Sequence, residues 1–406
     1  MSKKAFIAVL SVIVLGLVAI GWSLFSDKKS ATESPTDNGT SSTLFPFGQR
    51  PVSTGTTAMA TSTDDTDQTI DLSGGETLSR LKRISTTPVA GAVAFDMGST
   101  TIIRYVERAT GHIVQIANDS TASEQISNVT IPKIQEALWG SDGKNVVLRY
   151  LNDDGRTIKT FTGRVSTSTP NKGIEGTYLP DNIQDIAVSG SRIFYIIEGM
   201  SGAQGTRANI DGTGRTGIFN SSFGDWAATW ASNSVLLFAR PSGTAQGSAY
   251  LLDMATGALS HTVDRIPGIK GLLNPDETLM IYSGANGNVM GTAIYTIKGA
   301  AMRDIGMGTL VDKCVWSKRS KTIVFCAVPK SPAGGVYPDD WYKGKVSFAD
   351  SVWKIDATTG ETTDILDPEL EAGISIDMMD LSLDQNESTL LFTNKNDLSL
   401  WRLNLE

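Results

Sequence analysis

The sequence predicts an all-β fold, a seven-bladed β-propeller, and three observations carry that expectation. Seven similar segments recur along the chain, anchored at Phe95, Trp139, Val188, Trp230, Leu273, Trp316 and Leu383. The first six anchors follow one another at steps of about 42 to 49 residues, the spacing of a four-stranded propeller blade. Each anchor ends a short apolar run, is followed by a polar turn, and leads into runs rich in β-branched and aromatic residues.

The second repeat shows the unit most clearly. Ile134 to Trp139 is an apolar approach strand, and Gly140-Ser141-Asp142-Gly143-Lys144 is a turn in which Asp-Gly supplies the positive φ of a tight hairpin. Val146 to Tyr150 and Thr157 to Phe161 are the following strands, separated by Asn152-Asp153-Asp154-Gly155. The fourth repeat runs Ala227–Trp230, Val235–Ala239 and Ala249–Leu252. The fifth places Asn274-Pro275-Asp276-Glu277 between Leu273 and Leu279. The last repeat begins near Asp377 and stops at Glu406, one strand short. Leu78–Ser85, ahead of the first anchor, supplies the missing strand, so the ring is expected to close by pairing these residues with Leu398–Leu403.

The N-terminal region reads differently. Ala5 to Phe25 is an uncharged apolar run, long enough as a helix to span a bilayer. Lys3 and Lys4 precede it, and Asp27, Lys28 and Lys29 follow. Its end, Gly21-Trp22-Ser23-Leu24-Phe25, fits signal cleavage poorly, and no cysteine lies nearby to carry a lipid. The domain reading is therefore a transmembrane signal anchor over residues 1–29, a flexible Ser/Thr-rich linker over 30–77, and the propeller over 78–406. The expected location is the cytoplasmic membrane, single-pass, with the propeller outside the cytoplasm. Within the linker, Leu44-Phe45-Pro46-Phe47-Gly48 reads either as a docking patch or as a stray apolar cluster, and Asn38-Gly39-Thr40 matches a glycosylation acceptor.

The turn Trp139-Gly140-Ser141-Asp142-Gly143-Lys144 resembles the Trp-Ser-Pro-Asp-Gly-Lys repeat of TolB-type and WD40-like bacterial propellers. Asn274-Pro275-Asp276-Glu277 is similar, and Trp316-Ser317-Lys318-Arg319-Ser320-Lys321 keeps its Trp-Ser and Lys. The resemblance covers the propeller region and concerns turn residues, so it implies fold and has little bearing on function.

Two regions are candidate sites. The step from Trp316 to Leu383 is about 24 residues longer than the others, and a loop of that length in a compact domain is usually functional or disordered, with its three aromatic residues arguing against plain disorder. It carries Tyr337, Asp339, Asp340, Trp341, Tyr342 and Lys343. These could anchor a protein partner or stack on a sugar, with a loop folded back over its own blade as the alternative. The second region is a ring of residues three positions before the anchors, Glu136, Asp185, Lys270, Lys313 and Asp380, expected to line a central channel. Cys314 and Cys326 flank the blade-six turn, and either a disulfide or two buried thiols satisfies them.

Composition narrows the function classes. A net charge of -8 argues against nucleic acid, whose binding rests on phosphate neutralisation. Only two histidines occur, His112 and His261, with no nucleophile or metal spacing around them, and no metal or other cofactor is implied. The leading expectation is a non-enzymatic, membrane-tethered extracytoplasmic scaffold that binds an envelope protein. The alternative is a propeller that binds or hydrolyses cell-wall glycan.

Overall fold

A computed structural model describes residues 80–128, 130–166 and 173–405. The expected anchor, the linker with its apolar patch, and the Asn38 acceptor lie outside these residues. Among the described residues no helix is long and apolar enough to cross a membrane.

The described chain folds into seven four-stranded antiparallel sheets. Blade one holds Val89–Met97, Thr100–Glu107, Ile113–Ala117 and Ser123–Gln125, and blade two Ile134–Trp139, Asn145–Leu151, Ile158–Ser166 and Gly173–Tyr178. Blade three holds Ile183–Ser189, Arg192–Gly199, Gly202–Asn209 and Thr216–Ser221. Blade four holds Trp226–Trp230, Ser234–Ala239, Gln246–Asp253 and Leu259–Pro267. Blade five holds Lys270–Leu273, Leu279–Asn286, Val289–Thr296 and Ala301–Asp304, and blade six Cys314–Trp316, Ile323–Pro329, Asp350–Asp356 and Thr362–Leu366. Blade seven is Met378–Leu383, Thr389–Asn394, Leu400–Asn404 and, from the far end of the chain, Leu81–Arg83.

The closure falls where the sequence places it. Leu81, Lys82 and Arg83 pair with Leu403, Arg402 and Trp401. The paired segment is shorter than the expected Leu78–Ser85, because Ile84 and Ser85 turn away after their N–H groups reach the Leu400 carbonyl.

Second strands sit between two blades and are covered on both faces, so they read as unbroken apolar runs. Val146–Leu148, Ile193–Ile196 and Val235–Phe238 are all buried to this extent. The core is accordingly a series of sandwiches, one per blade junction. Blades one and two, for example, share Val106, Ile113, Ile134, Val146 and Leu148.

Two of the three tryptophan anchors tie their blade to the one before, while Trp230 Nε1 donates within its own blade to the Ser232 carbonyl. Trp316 Nε1 donates to the Leu272 carbonyl of blade five at 3.0 Å, and Trp139 Nε1 points to the Gly91 carbonyl of blade one at 3.4 Å. The Asp142-Gly143 turn forms as expected, with Gly143 at φ 64 and its Cα so close to the Phe95 ring that a Cβ would lie 2.3 Å from it.

Two glutamates repeat one clamp on this side of the ring. Glu277 accepts from the Ser232 and Ser234 backbone N–H groups and the Ser234 hydroxyl of blade four. Glu387 of blade seven accepts from the Ser317 hydroxyl and the Lys318 and Arg319 N–H groups of blade six. Both sit at positive φ, 59 and 57, which turns the carboxylate toward the neighbouring blade.

Candidate functional site

The long insertion occupies residues 330–349, between the second and third strands of blade six. It lies on the face formed by second-to-third-strand loops and blade-to-blade connections. There it makes a strap with one short helix, Asp339–Tyr342, that reaches blades four, five and seven.

The strap's aromatic residues face inward, which corrects the expectation that they form a recognition surface. Tyr337 is 1% exposed and Trp341 2% exposed. They pack with Phe348 against Ala285 and Met290 of blade five, Leu310, and Met379 of blade seven. The physical reason lies in polar partners far away in sequence. Trp341 Nε1 donates to the Asp377 carboxylate at 3.0 Å, and the Lys313 and Lys395 ammonium groups each stand 5.1 Å from its ring centre. Tyr342 donates to Asp312 at 2.8 Å and accepts from Lys270 at 3.2 Å. Burial, reinforced by the Asp312 charge, pushes the Tyr342 phenol above its ordinary range.

The two aspartates are also committed internally. Asp339 accepts from the Ser242 hydroxyl at 2.9 Å and the Gly243 N–H at 2.7 Å, fastening the helix to blade four. Gly243 must be glycine here, because a Cβ would lie 2.1 Å from the Tyr337 carbonyl oxygen. Asp340 accepts from the Val336 N–H and pairs with Lys345. Of the six residues expected to form the site, Lys343 alone is exposed.

Of the five residues expected to line a central channel, Lys313 is buried. A 3-10 turn at Val311–Lys313 rotates Lys313 into the protein, where its side chain is 0% exposed between Asp350 and Asp377, while Asp312 reaches Lys270 and Tyr342. The remaining four expected residues do influence one another across the ring. Glu136 pairs with Arg149 at 2.6 Å. Asp185 accepts from the Ala228 N–H at 2.7 Å, and burial raises its pKa. Burial works against the charge of Lys270, but Asp312, Tyr342 and Asp185 outweigh it and hold the ammonium well above its ordinary pKa.

Asp380 stands apart. Its backbone takes the left-handed conformation, φ 55, at an irregularity of the inner strand between Met379 and Ser382. The carboxyl is open to the channel yet crowded by protein. That crowding, with Glu136 and Asp312 nearby and Lys270 and Arg108 opposing, pushes it up to about 6. A raised carboxyl pKa favours the fold while the group is protonated, and that contribution is lost as pH rises from about 4 through 6. Asp380→Asn, which keeps a residue tolerant of this φ, is expected to raise stability by about 1 kcal/mol at pH 7–8, the screening of channel water included. Below about pH 4 the two proteins should be equal. Denaturant titrations at the two pH values check this, and a pH-independent difference would refute it.

Cys314 and Cys326 are directly opposed across blade six and form a disulfide. The histidines lie far from the channel ring. His112 contacts the Thr130 hydroxyl in blade one, and His261 stacks edge-on with Tyr250 on the outer strand of blade four. Among the described residues no group of three or more His, Cys, Asp or Glu is arranged to hold a metal ion. On the opposite face, an open cleft of 940 Å³ between blades one and two carries Arg104, Lys144 and Arg164 alongside Asp96, Asp142 and Glu175.

The strap face does present apolar side chains, but from residues the sequence reading passed over. Met200, in the second-to-third-strand turn of blade three, is fully exposed. Phe223, in the connection to blade four, is 58% exposed. The Arg240 guanidinium stacks 5.8 Å over the Phe223 ring, two residues from the Ser242 that holds the strap. Both apolar residues interrupt glycine- and serine-rich turns, Gly199-Met200-Ser201-Gly202 and Ser222-Phe223-Gly224. That placement is the one signal that could have found them.

No protein-family model matches the sequence, and no curated protein matches it. Among solved structures, an oligogalacturonate lyase in complex with manganese is similar over 80% of this chain and 93% of its own, at 9% identity and a TM-score of 0.50. A second oligogalacturonate lyase, from Vibrio parahaemolyticus, covers the same shares at 9% identity and a TM-score of 0.47. TolB from Acinetobacter baumannii aligns over 63% of this chain at 12% identity and a TM-score of 0.43, and the alignment spans 60% of the TolB chain. At these identities the likeness is one of fold: an all-β, seven-bladed propeller.

Proposed function

We propose that this chain is a protein-binding scaffold of a bacterial envelope, tethered to the cytoplasmic membrane through residues 5–25 with its propeller outside the cytoplasm. The observation that carries the binding reading is the exposure of Met200 and Phe223 in loops of the strap face, with Arg240 over the Phe223 ring. Met, aromatic and Arg side chains are the types enriched where proteins dock, and exposed apolar residues rimmed by polar ones mark such surfaces. The strap supports this by giving that face a packed, polar-fastened floor. The disulfide in blade six supports an oxidising compartment. A glycan platform would need ring faces open to a sugar, and the Trp341 and Tyr337 rings are turned inside.

The test uses the full-length protein in its native envelope, with a photo-crosslinking residue introduced at Arg240. Crosslinked partners are identified by mass spectrometry, and the Met200→Asp, Phe223→Asp double variant is compared with wild type. A hot spot of this type predicts a loss of capture of about 30-fold with an unchanged melting temperature. Equal capture per folded molecule would refute the assignment of this face.

A further inference from the structure

Beneath the strap, three ionisable side chains are sealed from water together. Lys313, Asp350 and Asp377 each have 0% side-chain exposure. Lys313 Nζ stands 2.6 Å from Asp350 Oδ2, 2.5 Å from Asp377 Oδ1 and 2.8 Å from the Met378 carbonyl oxygen. The rings of Trp341 and Phe348 close over it, with centres at 5.1 and 5.2 Å. The amine is therefore held against two carboxyl groups in a dry aromatic pocket.

The two carboxyl groups differ. Asp377 accepts from Trp341 Nε1, the Ser347 hydroxyl, the Phe348 N–H and Lys313, which suits a carboxylate. Asp350 accepts on Oδ2 alone, from Lys313 and from the Met378 N–H at 2.7 Å, while its buried Oδ1 has no partner. A bare carboxylate oxygen in such a site is costly, whereas a carboxylic acid is tolerated. Burial, with the Asp377 charge adding to it and Lys313 opposing, pushes Asp350 up to about 6.

We propose that Lys313 Nζ and Asp350 Cγ condense to an amide, a self-formed covalent cross-link inside blade six. Asp377 takes a proton from the ammonium. The freed amine lone pair adds to Cγ of the Asp350 carboxylic acid, and the charge that develops on Oδ2 is met by the Met378 N–H. Asp377 returns its proton to the Oδ1 hydroxyl as the C–O bond breaks, and water departs. The second amine proton then passes to Asp377. One ammonium, one carboxylate and one carboxylic acid become one amide, one carboxylic acid and one water, with atoms and charge balanced and no oxidant or co-reactant. The fold supplies the proximity that makes such a condensation intramolecular. The product also replaces buried ions with neutral groups.

The test is peptide mapping of the reduced full-length protein by mass spectrometry. The expected result is a branched peptide joining Lys313 to Asp350, about 18 Da below the sum of its two arms, with no tryptic cleavage after Lys313. Lys313→Arg and Asp377→Asn should each abolish the branch. Asp350→Asn should still form it, with ammonia leaving in place of water, and yield a branched peptide of the wild-type mass. Unlinked Lys313 and Asp350 peptides from the wild-type protein would overturn the proposal whether or not any variant folds. So would a branch that runs through Asp377.

Discussion

Trp341→Ala is expected to lower the stability of the propeller by about 3–5 kcal/mol, the range for removing a buried tryptophan. The side chain fills the space between strap and ring, so its loss leaves a cavity lined by Phe348, Leu310 and Met379. The indole N–H also leaves the Asp377 carboxyl, which loses a hydrogen-bond partner in a place without water. The strap would then rest on the contacts of Asp339 and Tyr342 at the ends of its helix and of Ser347 and Phe348 with Asp377. Urea titrations followed by tryptophan fluorescence and by circular dichroism measure the shift in midpoint, with an unchanged slope confirming two-state behaviour. A loss below about 1 kcal/mol would mean that the strap is a surface appendage whose burial contributes nothing to the ring.

Deleting the closing strand should have an effect of similar size. A chain that starts at Pro88 lacks Leu81, which is buried against Leu403 in the core shared by blades six and seven. It also lacks the backbone bonds from Ile84 N–H to the Leu400 carbonyl and from Asn404 N–H to the Arg80 carbonyl. The apolar burial alone is worth about 2 kcal/mol, and the freed edge of Leu400–Asn404 becomes a template for pairing with other chains. A total loss of about 4 kcal/mol is expected, with oligomers appearing in size-exclusion chromatography. A chain starting at Ser73 should melt with the full-length protein. Equal melting of the two truncations would show that the ring holds without its closure.

What the sequence revealed and what it hid divide along one physical line. The Asp142-Gly143 turn, the tryptophan anchors and the missing strand of blade seven were legible because their chemistry is local or periodic. The strap was not. Tyr337, Trp341 and Tyr342 read identically whether their rings face solvent or protein. The groups that turn them inward, Asp377, Asp312 and Lys313, come from other segments of the chain. Counting back from the anchors picked out Glu136, Asp185, Lys270 and Asp380, which influence one another electrostatically. It misplaced Lys313, because a single 3-10 turn rotates that strand start by a residue. Met200 and Phe223 were hidden for the opposite reason. An apolar residue in a turn looks like the edge of a core strand until its exposure is known.

The closure also decides how the ring meets a mechanical load. Tension applied through the chain ahead of residue 80 enters at the rim of blade seven, on a strand joined by three residue pairs. Arg80 braces that point, reaching into blade six to the Ile365 carbonyl at 2.6 Å and to Glu371. The other blades are each continuous within one stretch of chain. Under such a load the short closing strand is the expected first point of failure of the propeller.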